Sequence, residues 1–222
     1  MAQLYANPYG GFPGFYFDSL DDYEDKQQSV WGDSDPEHSI DFINGSTQEQ
    51  ELWSEGGNDS PAEIEGYYDL LNEPDYIQEM VYAALALGIA QDFEGARGAA
   101  DDAFVRQGDM QSLAEEFVEE EMVNTANYFD YERYGRDLRI GGDMTNDLDP
   151  DDPDEADSIR FYENMSDQEL GEHVVDNIYG GQVNDILSSA PWYVDIDAVA
   201  RDLEHDYVEF EFGGQDFTAR FD

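Results

Sequence analysis

The sequence predicts an α+β fold: an elongated chain of small domains, mostly helical, with short strands and a C-terminal β-hairpin. Three observations point there. Apolar residues recur at helical spacing through the middle of the chain, as in Met110, Leu113, Ala114, Phe117 and Val118 at i, i+3, i+4, i+7 and i+8. Short aromatic or alternating runs occur near both ends, Phe15-Tyr16-Phe17, residues 38–43 and YVEFEF-GG-QDFTARF at 207–221. Breaker clusters, GGNDSP at 56–61 and DLDPDDPDEAD at 147–157, interrupt the pattern.

In chain order, residues 1–58 read as a small α+β domain. Phe15 to Phe17 suit a strand, Ser19 suits the N-cap of a helix through DDYEDKQQ, and HSIDFI alternates as a half-buried strand does. Residues 59–98 read as a helical domain. Asp59 or Ser60 caps a helix with Pro61 at its first position, and a second helix follows Pro74 with Ile77, Val81, Ala84 and Leu85 on one face. Gly95 and Gly98 are expected to end that region.

Residues 99–148 read as an acidic helical unit. Phe104 and Val105 are expected on a short helix closed by Gly108. The next helix is capped by Asp109 or by Ser112, whose spacing to Glu115 fits a capping box. Asp130 then caps a helix in which Tyr131, Tyr134, Gly135 and Leu138 share a face. Residues 149–222 read as a second, acidic α+β unit repeating the first. YFDYERYGRDL (128–138) aligns without gaps on YVDIDAVARDL (193–203), 65 residues on, with Tyr, Asp, Arg, Asp and Leu identical. Upstream, Phe104, Leu113, Glu115 and Val118 align with Phe161, Leu170, Glu172 and Val175. The hairpin around Gly213-Gly214 completes the second unit.

Charge narrows the function. The 222 residues hold 55 acids against 9 bases, a net charge of −46. The acids are 12 in 1–58, 9 in 59–98, 13 in 99–148 and 21 in 149–222, against 1, 1, 4 and 3 bases, so the charge belongs to every segment. With 15 Tyr, 13 Phe and 3 Trp, such a chain has the material for a core and is expected to fold despite its self-repulsion. Direct nucleic-acid binding is implausible, because phosphate contacts need Lys and Arg. The absence of cysteine excludes disulfides and thiolate metal sites. The longest apolar run, residues 80–90, is about half a membrane span, and the N-terminal stretch is unlike a secretory leader, so a cytoplasmic protein is expected.

Neither metal nor cofactor nor catalysis is expected. An EF-hand read from Asp147 would put Asp152 and Ser158 where Gly and Glu are needed. That run suits a stiff solvated linker. His38, His173 and His205 lack ligand spacing, and a Glu169–His173 pair one turn apart reads as a surface pair. No nucleophile elbow, Walker loop or dinucleotide glycine loop is present.

For a single helix, an acidic exterior is an ordinary solvated face. Ordinary helices, however, pair acids with bases one turn away, and here counter-charges are nearly absent from all four segments. Duplex DNA carries one charge per ~1.7 Å of axis, so 46 charges match roughly 80 Å of duplex, about two turns. A rigid carboxylate array of that kind would compete for the groove of a DNA-binding protein.

The tract AADDAFVRQGDMQSLAEEFVEEE running into YFDYERYGRDL resembles the antirestriction proteins of the ArdA family, as does IDAVARDLEHDYVEFEF. LYANPYGGFPGFYFDSL followed by HSIDFINGS resembles that family's first domain more loosely. The resemblance covers most of 1–145 and recurs in 160–222. It implies an elongated, usually dimeric mimic of B-form DNA that occupies the DNA site of type I restriction–modification enzymes and so protects incoming phage or plasmid DNA. The family's antirestriction region matches Glu115 to Glu121 and Asp130 to Leu138 here. The chain is longer than typical members and carries the duplicated unit, so an internal repeat could replace part of a dimer.

The residues expected to stand in for phosphates are Glu115, Glu116, Glu119, Glu120, Glu121, Asp130 and Glu132, then Glu169, Glu172, Asp176, Asp195 and Asp197. Tyr128, Arg136, Asp137 and Leu138, repeated as Tyr193, Arg201, Asp202 and Leu203, are expected to be structural. The expected partner is a host DNA-binding protein. The rival readings are an acidic domain adapted to high salt and an inhibitor of a different host DNA-binding protein.

Overall fold

The structure is a computed structural model that describes residues 2–34, 36–142 and 144–221. It is α+β, as the sequence predicts. The chain divides into two compact units, Met1–Met110 with Glu204–Asp222, and Gln111–Leu203.

The first unit holds two three-stranded antiparallel sheets. In one, β1 (Gln3–Pro8) lies between β2 (Phe15–Phe17) and β3 (His38–Asn44). Its register places Leu4 opposite Phe17 and Phe42, and Ala6 opposite Phe15 and Ile40. The expected β2 and β3 are present, and so is the helix capped by Ser19, α1 (Leu20–Val30), whose Ser19 hydroxyl accepts from the Asp22 N–H. Strand β1 was not foreseen.

Helices α2 (Thr47–Leu52), α3 (Ile64–Leu71), α4 (Asp75–Ala86) and α5 (Phe93–Ala100) follow. Ser46 and Glu49 form a reciprocal capping box on α2. Ser60 caps a short 3₁₀ turn with Pro61 at its first position, which leads into α3. The GGNDSP run is a tight corner, with Gly56 and Gly57 buried, rather than a loose boundary. Segments 1–58 and 59–98 accordingly share one core, in which Phe17, Leu4, Ile40, Leu52, Tyr67 and Phe93 are nearly inaccessible. Gly95 and Gly98 do not end a region; both lie within α5. Asp92 caps that helix, and the small residues let it pack closely on α4.

The other sheet corrects a helix expectation. Residues Ala103–Gln107, including Phe104 and Val105, form strand β4 and pair antiparallel with β6 (Gln215–Phe221), which also pairs with β5 (Val208–Phe212). A strand partner more than a hundred residues away overrode a weak local helical pattern. The β5–β6 hairpin turns at Gly213 and Gly214, both with positive φ as a two-residue turn needs. It belongs to the first unit rather than closing a second repeat: Phe212 stacks on Tyr82 of α4 at 4.3 Å between ring centres, and the Gly213 N–H donates to Glu51 of α2 at 2.7 Å.

The second unit is helical. It contains α6 (Met110–Glu119) from its second residue on, then α7 (Tyr131–Gly141), α8 (Pro153–Glu163), α9 (Asp167–Ile178), α10 (Asn184–Leu187) and α11 (Ile196–Leu203). Helix α6 begins at Met110, so Ser112 sits inside its first turn and is not the N-cap. The capping box of this unit is Ser166 with Glu169, on α9. The acidic run at 147–157 is only partly a linker, since Asp152 caps α8 and Pro153 occupies its first turn. Phe161 lies on α8 whereas Phe104 lies on β4, so the repeat does not extend that far upstream. No helix among the described residues is long and apolar enough to cross a membrane.

Candidate functional site

The two copies of the Y-x-D-x(5)-R-D-L motif meet face to face in the second unit. Each begins with a 3₁₀ turn, residues Thr125–Tyr128 and Pro191–Tyr193, and continues into an Asp-capped helix. The Asp130 carboxylate accepts from the Arg133 N–H at 2.8 Å, and the Asp195 carboxylate from the Ala198 N–H at 3.0 Å. Between turn and helix the two segments touch as an isolated antiparallel bridge, Phe129 opposite Val194. Its backbone bonds are reciprocal: the Asp130 N–H donates to the Tyr193 carbonyl and the Asp195 N–H to the Tyr128 carbonyl, both at 2.7 Å.

The side chains exchange in the same way. The Tyr128 hydroxyl donates to Asp202 at 2.9 Å, and the Tyr193 hydroxyl donates to Asp137 at 3.1 Å. In the 65-residue alignment Tyr128 corresponds to Tyr193 and Asp137 to Asp202. Each copy therefore supplies the tyrosine for the other copy's aspartate, a local two-fold exchange within one chain. The bond to Asp202 pushes the Tyr128 pKa up. Burial and then the bond to Asp137 raise that of Tyr193. Phe129, Tyr134, Tyr193 and Val194 fill the space around the bridge.

Helices α7 and α9 pack through a pair of glycines. A Cβ on Gly135 would strike the Asp167 carbonyl and the Gly171 nitrogen, and one on Gly171 would strike the Tyr131 carbonyl. At this crossing the backbones touch, which only glycine permits. Arg139 locks it, donating to the Asp167 carboxylate at 2.8 Å and to the Met165 carbonyl at 2.7 Å. Arg133 donates to the Trp192 carbonyl at 2.8 Å. Two of the few cations, both exposed, are thus bonded to the scaffold.

The carboxylates expected to mimic phosphates fall into two sets. Glu115, Glu119, Glu120, Glu121, Glu132, Glu172, Asp176 and Asp197 are exposed, and Glu116 is half-buried. Asp130 and Asp195 are half-buried caps, each with a carboxylate oxygen already bonded. Glu169 is exposed, but the N–H and hydroxyl of Ser166 hold one of its oxygens and lower its pKa. Of the residues expected to be structural, the tyrosines and aspartates are joined, Leu203 is buried and Leu138 half-buried. Arg136 and Arg201 are exposed; Arg136 Nε lies 3.9 Å from Asp137, while Arg201 donates to the Asp197 carbonyl at 3.2 Å.

Helix α6 ends in an unusual way. The Met122 N–H donates to the Phe117 carbonyl and the Glu121 N–H to that of Val118, the two bonds of a Schellman motif. Glu121 occupies the position that normally holds glycine, with φ of +56°. Glu119, Glu120 and Glu121 also lie at the negative end of the helix dipole. Both features oppose folding, and neither is offset by a Lys or Arg within four residues on either side.

Sequence reasoning found the repeated residues but not their exchange. The equal spacing of Tyr and Asp in both copies was the signal, and only the fold shows that the partners cross. Among the described residues no three His, Asp or Glu are grouped to hold a metal ion. No protein-family profile, characterised protein or solved structure matches this chain.

Proposed function

We propose that the protein is a DNA mimic that acts by occupancy, competing with DNA for the binding site of a host restriction–modification enzyme in the host cytoplasm. Type I enzymes are the target that the resemblance to ArdA-family proteins implies. No catalysis and no cofactor are involved. The observation that carries this reading is the array at the end of α6. Exposed glutamates stand there with no Lys or Arg within four residues along the chain, one of them on left-handed backbone, in an arrangement that stability alone would select against. The tyrosine–aspartate exchange and the glycine crossing give the exposed Glu132, Glu172 and Asp197, on α7, α9 and α11, a rigid base, which a competitor of DNA needs in order to avoid losing binding energy to ordering.

The test is displacement of labelled duplex DNA from a type I restriction–modification enzyme, followed by fluorescence anisotropy. The expected result is full displacement that weakens steeply as salt rises. Single Glu→Gln changes at Glu115, Glu119, Glu120 or Glu121 should have little effect, whereas the four together should weaken competition strongly. If that enzyme and other host DNA-binding proteins hold their DNA equally well in its presence, the reading is wrong. Displacement from a different DNA-binding protein alone would move the target and keep the mechanism.

A further inference from the structure

The β2–β1–β3 sheet turns one face to the core, through Leu4, Ala6, Phe17 and Ile40, and the other to solvent. On the outer face the register sets Tyr16, Tyr5 and Asp41 in one row, a residue from each strand. Tyr16 is 53% exposed, and Tyr5 and Asp41 are half-buried. The two rings lie 4.7 Å apart and are inclined at 50°. Gly14 makes room for the Tyr5 ring, because a Cβ there would strike its hydroxyl. A tyrosine pair across two strands is ordinary sheet packing; the carboxylate next in the row gives this one further chemistry. Asp41 accepts from the Asn7 side-chain amide at 3.2 Å with one oxygen and keeps the other open. Residues directly opposite on paired strands stand about 4.5–5.5 Å apart at Cβ, so rings and carboxylate are within reach of a single group. Among the described residues no cation of the chain takes that place: Lys26, the single lysine, is bonded to the Tyr16 carbonyl and to Asp22.

We propose that this row is a docking site for an arginine of a basic partner protein, its guanidinium stacked on the tyrosine rings and donating to the open Asp41 oxygen. Three features select that occupant. A planar guanidinium can lie on an aromatic face and donate from its edge to a carboxylate at the same time, which a compact ammonium does less well. Charge complementarity calls for a basic partner, since residues 1–58 hold 12 acids against 1 base. The row lies on an open sheet face, where free arginine would leave most of its surface in water, whereas small-ligand sites bury most of theirs. A side chain carried on a protein brings further contacts with it. Ile43, two residues beyond Asp41 and 46% exposed, and Phe12 in the β1–β2 loop, 44% exposed, offer apolar area for them. The site lies in the first unit and does not depend on competition with DNA.

Fluorescence anisotropy with the full chain at physiological salt tests this, using a labelled heptapeptide of alternating glycine and arginine and its lysine counterpart. The two peptides carry the same charge, so general attraction to an acidic surface affects both alike. The parent should bind the arginine peptide about fivefold more tightly. Replacing both rings, Tyr5→Leu with Tyr16→Leu, should abolish that preference and leave the affinity for the lysine peptide as it was. Asp41→Asn, whose amide oxygen still accepts from Asn7, should weaken the arginine peptide about fivefold and the lysine peptide less. It asks for no new packing, so it decides the matter if the tyrosine variant does not fold, as circular dichroism would show. Equal binding of the two peptides by the parent, or a preference undiminished in either folded variant, would overturn the proposal. So would Nα-acetyl-argininamide binding as tightly as the arginine peptide, since a protein surface would then add nothing. Displacement of DNA is a separate measurement, so either idea can fail alone.

Discussion

Gly135→Ala should destabilise the second unit even though alanine is the better helix former. In an open helical position, Gly→Ala gains about 0.5–1 kcal/mol from helix propensity. Gly98 in α5 is such a position, with negative φ and nothing within 4 Å of where an added methyl group would sit. At Gly135 the same methyl meets the Asp167 carbonyl and the Gly171 nitrogen, which are backbone atoms and cannot rotate away. Helices α7 and α9 would have to separate, loosening Tyr134, Leu170 and Val174, which are 7%, 2% and 2% exposed. Overpacking of this kind costs typically about 1–3 kcal/mol, and more when rigid atoms collide. Because the atoms met here are backbone, the upper end of that range, about 3 kcal/mol, applies, and subtracting a propensity gain of up to about 1 kcal/mol leaves a net loss of about 2 kcal/mol. Hydrogen exchange followed by mass spectrometry reads the two helices separately from α5. In Gly135→Ala, peptides from α7 and α9 should exchange about thirtyfold faster, while in Gly98→Ala those of α5 should slow severalfold. Unchanged or slower exchange in α7 and α9 would show that the crossing is looser than the structure has it, and would remove the argument for a rigid base.

The tyrosine exchange predicts unequal effects of equal changes. Tyr193→Phe, which removes a partly buried bond to Asp137, should cost about 1.5 kcal/mol, and Tyr128→Phe, whose bond is exposed, about 0.5 kcal/mol, measured by urea unfolding. Glu121→Gly should raise stability by about 1 kcal/mol in the same assay, because it relieves the left-handed backbone and removes a charge from the helix C-terminus. The first unit should fail in alkali: burial, followed by Glu51, Glu55 and Glu211, pushes the Tyr82 pKa up to about 12, and burial likewise raises those of Tyr67 and Tyr68. Their folded-state values lie above the unfolded value near 10, so the stability they contribute is complete below pH ~10 and declines from there towards pH ~12. Tyrosinate absorbance should therefore rise together with loss of helical circular dichroism; a smooth rise with the fold intact would contradict the burial.

Much of the local structure was legible because its signals are short-range. Ser19, Ser60 with Pro61, and Asp130 each satisfy helix donors within three residues, and the two glycines at 213 and 214 specify their own turn. Strand β4 was missed for the opposite reason. Phe104 is 41% exposed and Ala103–Gln107 has no alternating pattern; what makes it a strand is β6, far along the chain. Strand β1 escaped likewise, since Gln3–Pro8 is defined by partners on both sides. The candidate site was half legible. The outward glutamates follow from helical periodicity, but whether an aspartate faces solvent or caps a helix depends on which N–H groups lie beside it. That distinction moves Asp130 and Asp195 towards the scaffold.

The duplicated motif bears on how a chain so charged holds together. Every carboxylate that the fold engages becomes a structural acceptor at little extra repulsion, because it replaces water with an N–H or hydroxyl donor. In the second unit, Asp130, Asp137, Asp195 and Asp202 are all bonded by neutral donors, with cations only at the margin of contact, Arg136 at 3.9 Å from Asp137 and Arg201 at 4.0 Å from Asp195. Backbone N–H groups and tyrosine hydroxyls thus take the part that lysines take in ordinary proteins. A lysine pairing with each of these aspartates would have stabilised the unit and lowered the net negative charge. Neutral donors stabilise it and leave the charge in place. The 15 tyrosines beside a single lysine are consistent with that constraint. It follows that Asp137→Asn and Asp202→Asn should keep much of the scaffold, because an amide oxygen still accepts from tyrosine, while Asp→Lys at either position should break it. Urea unfolding of the four variants checks this, and an Asp→Asn loss as large as that of Asp→Lys would refute it.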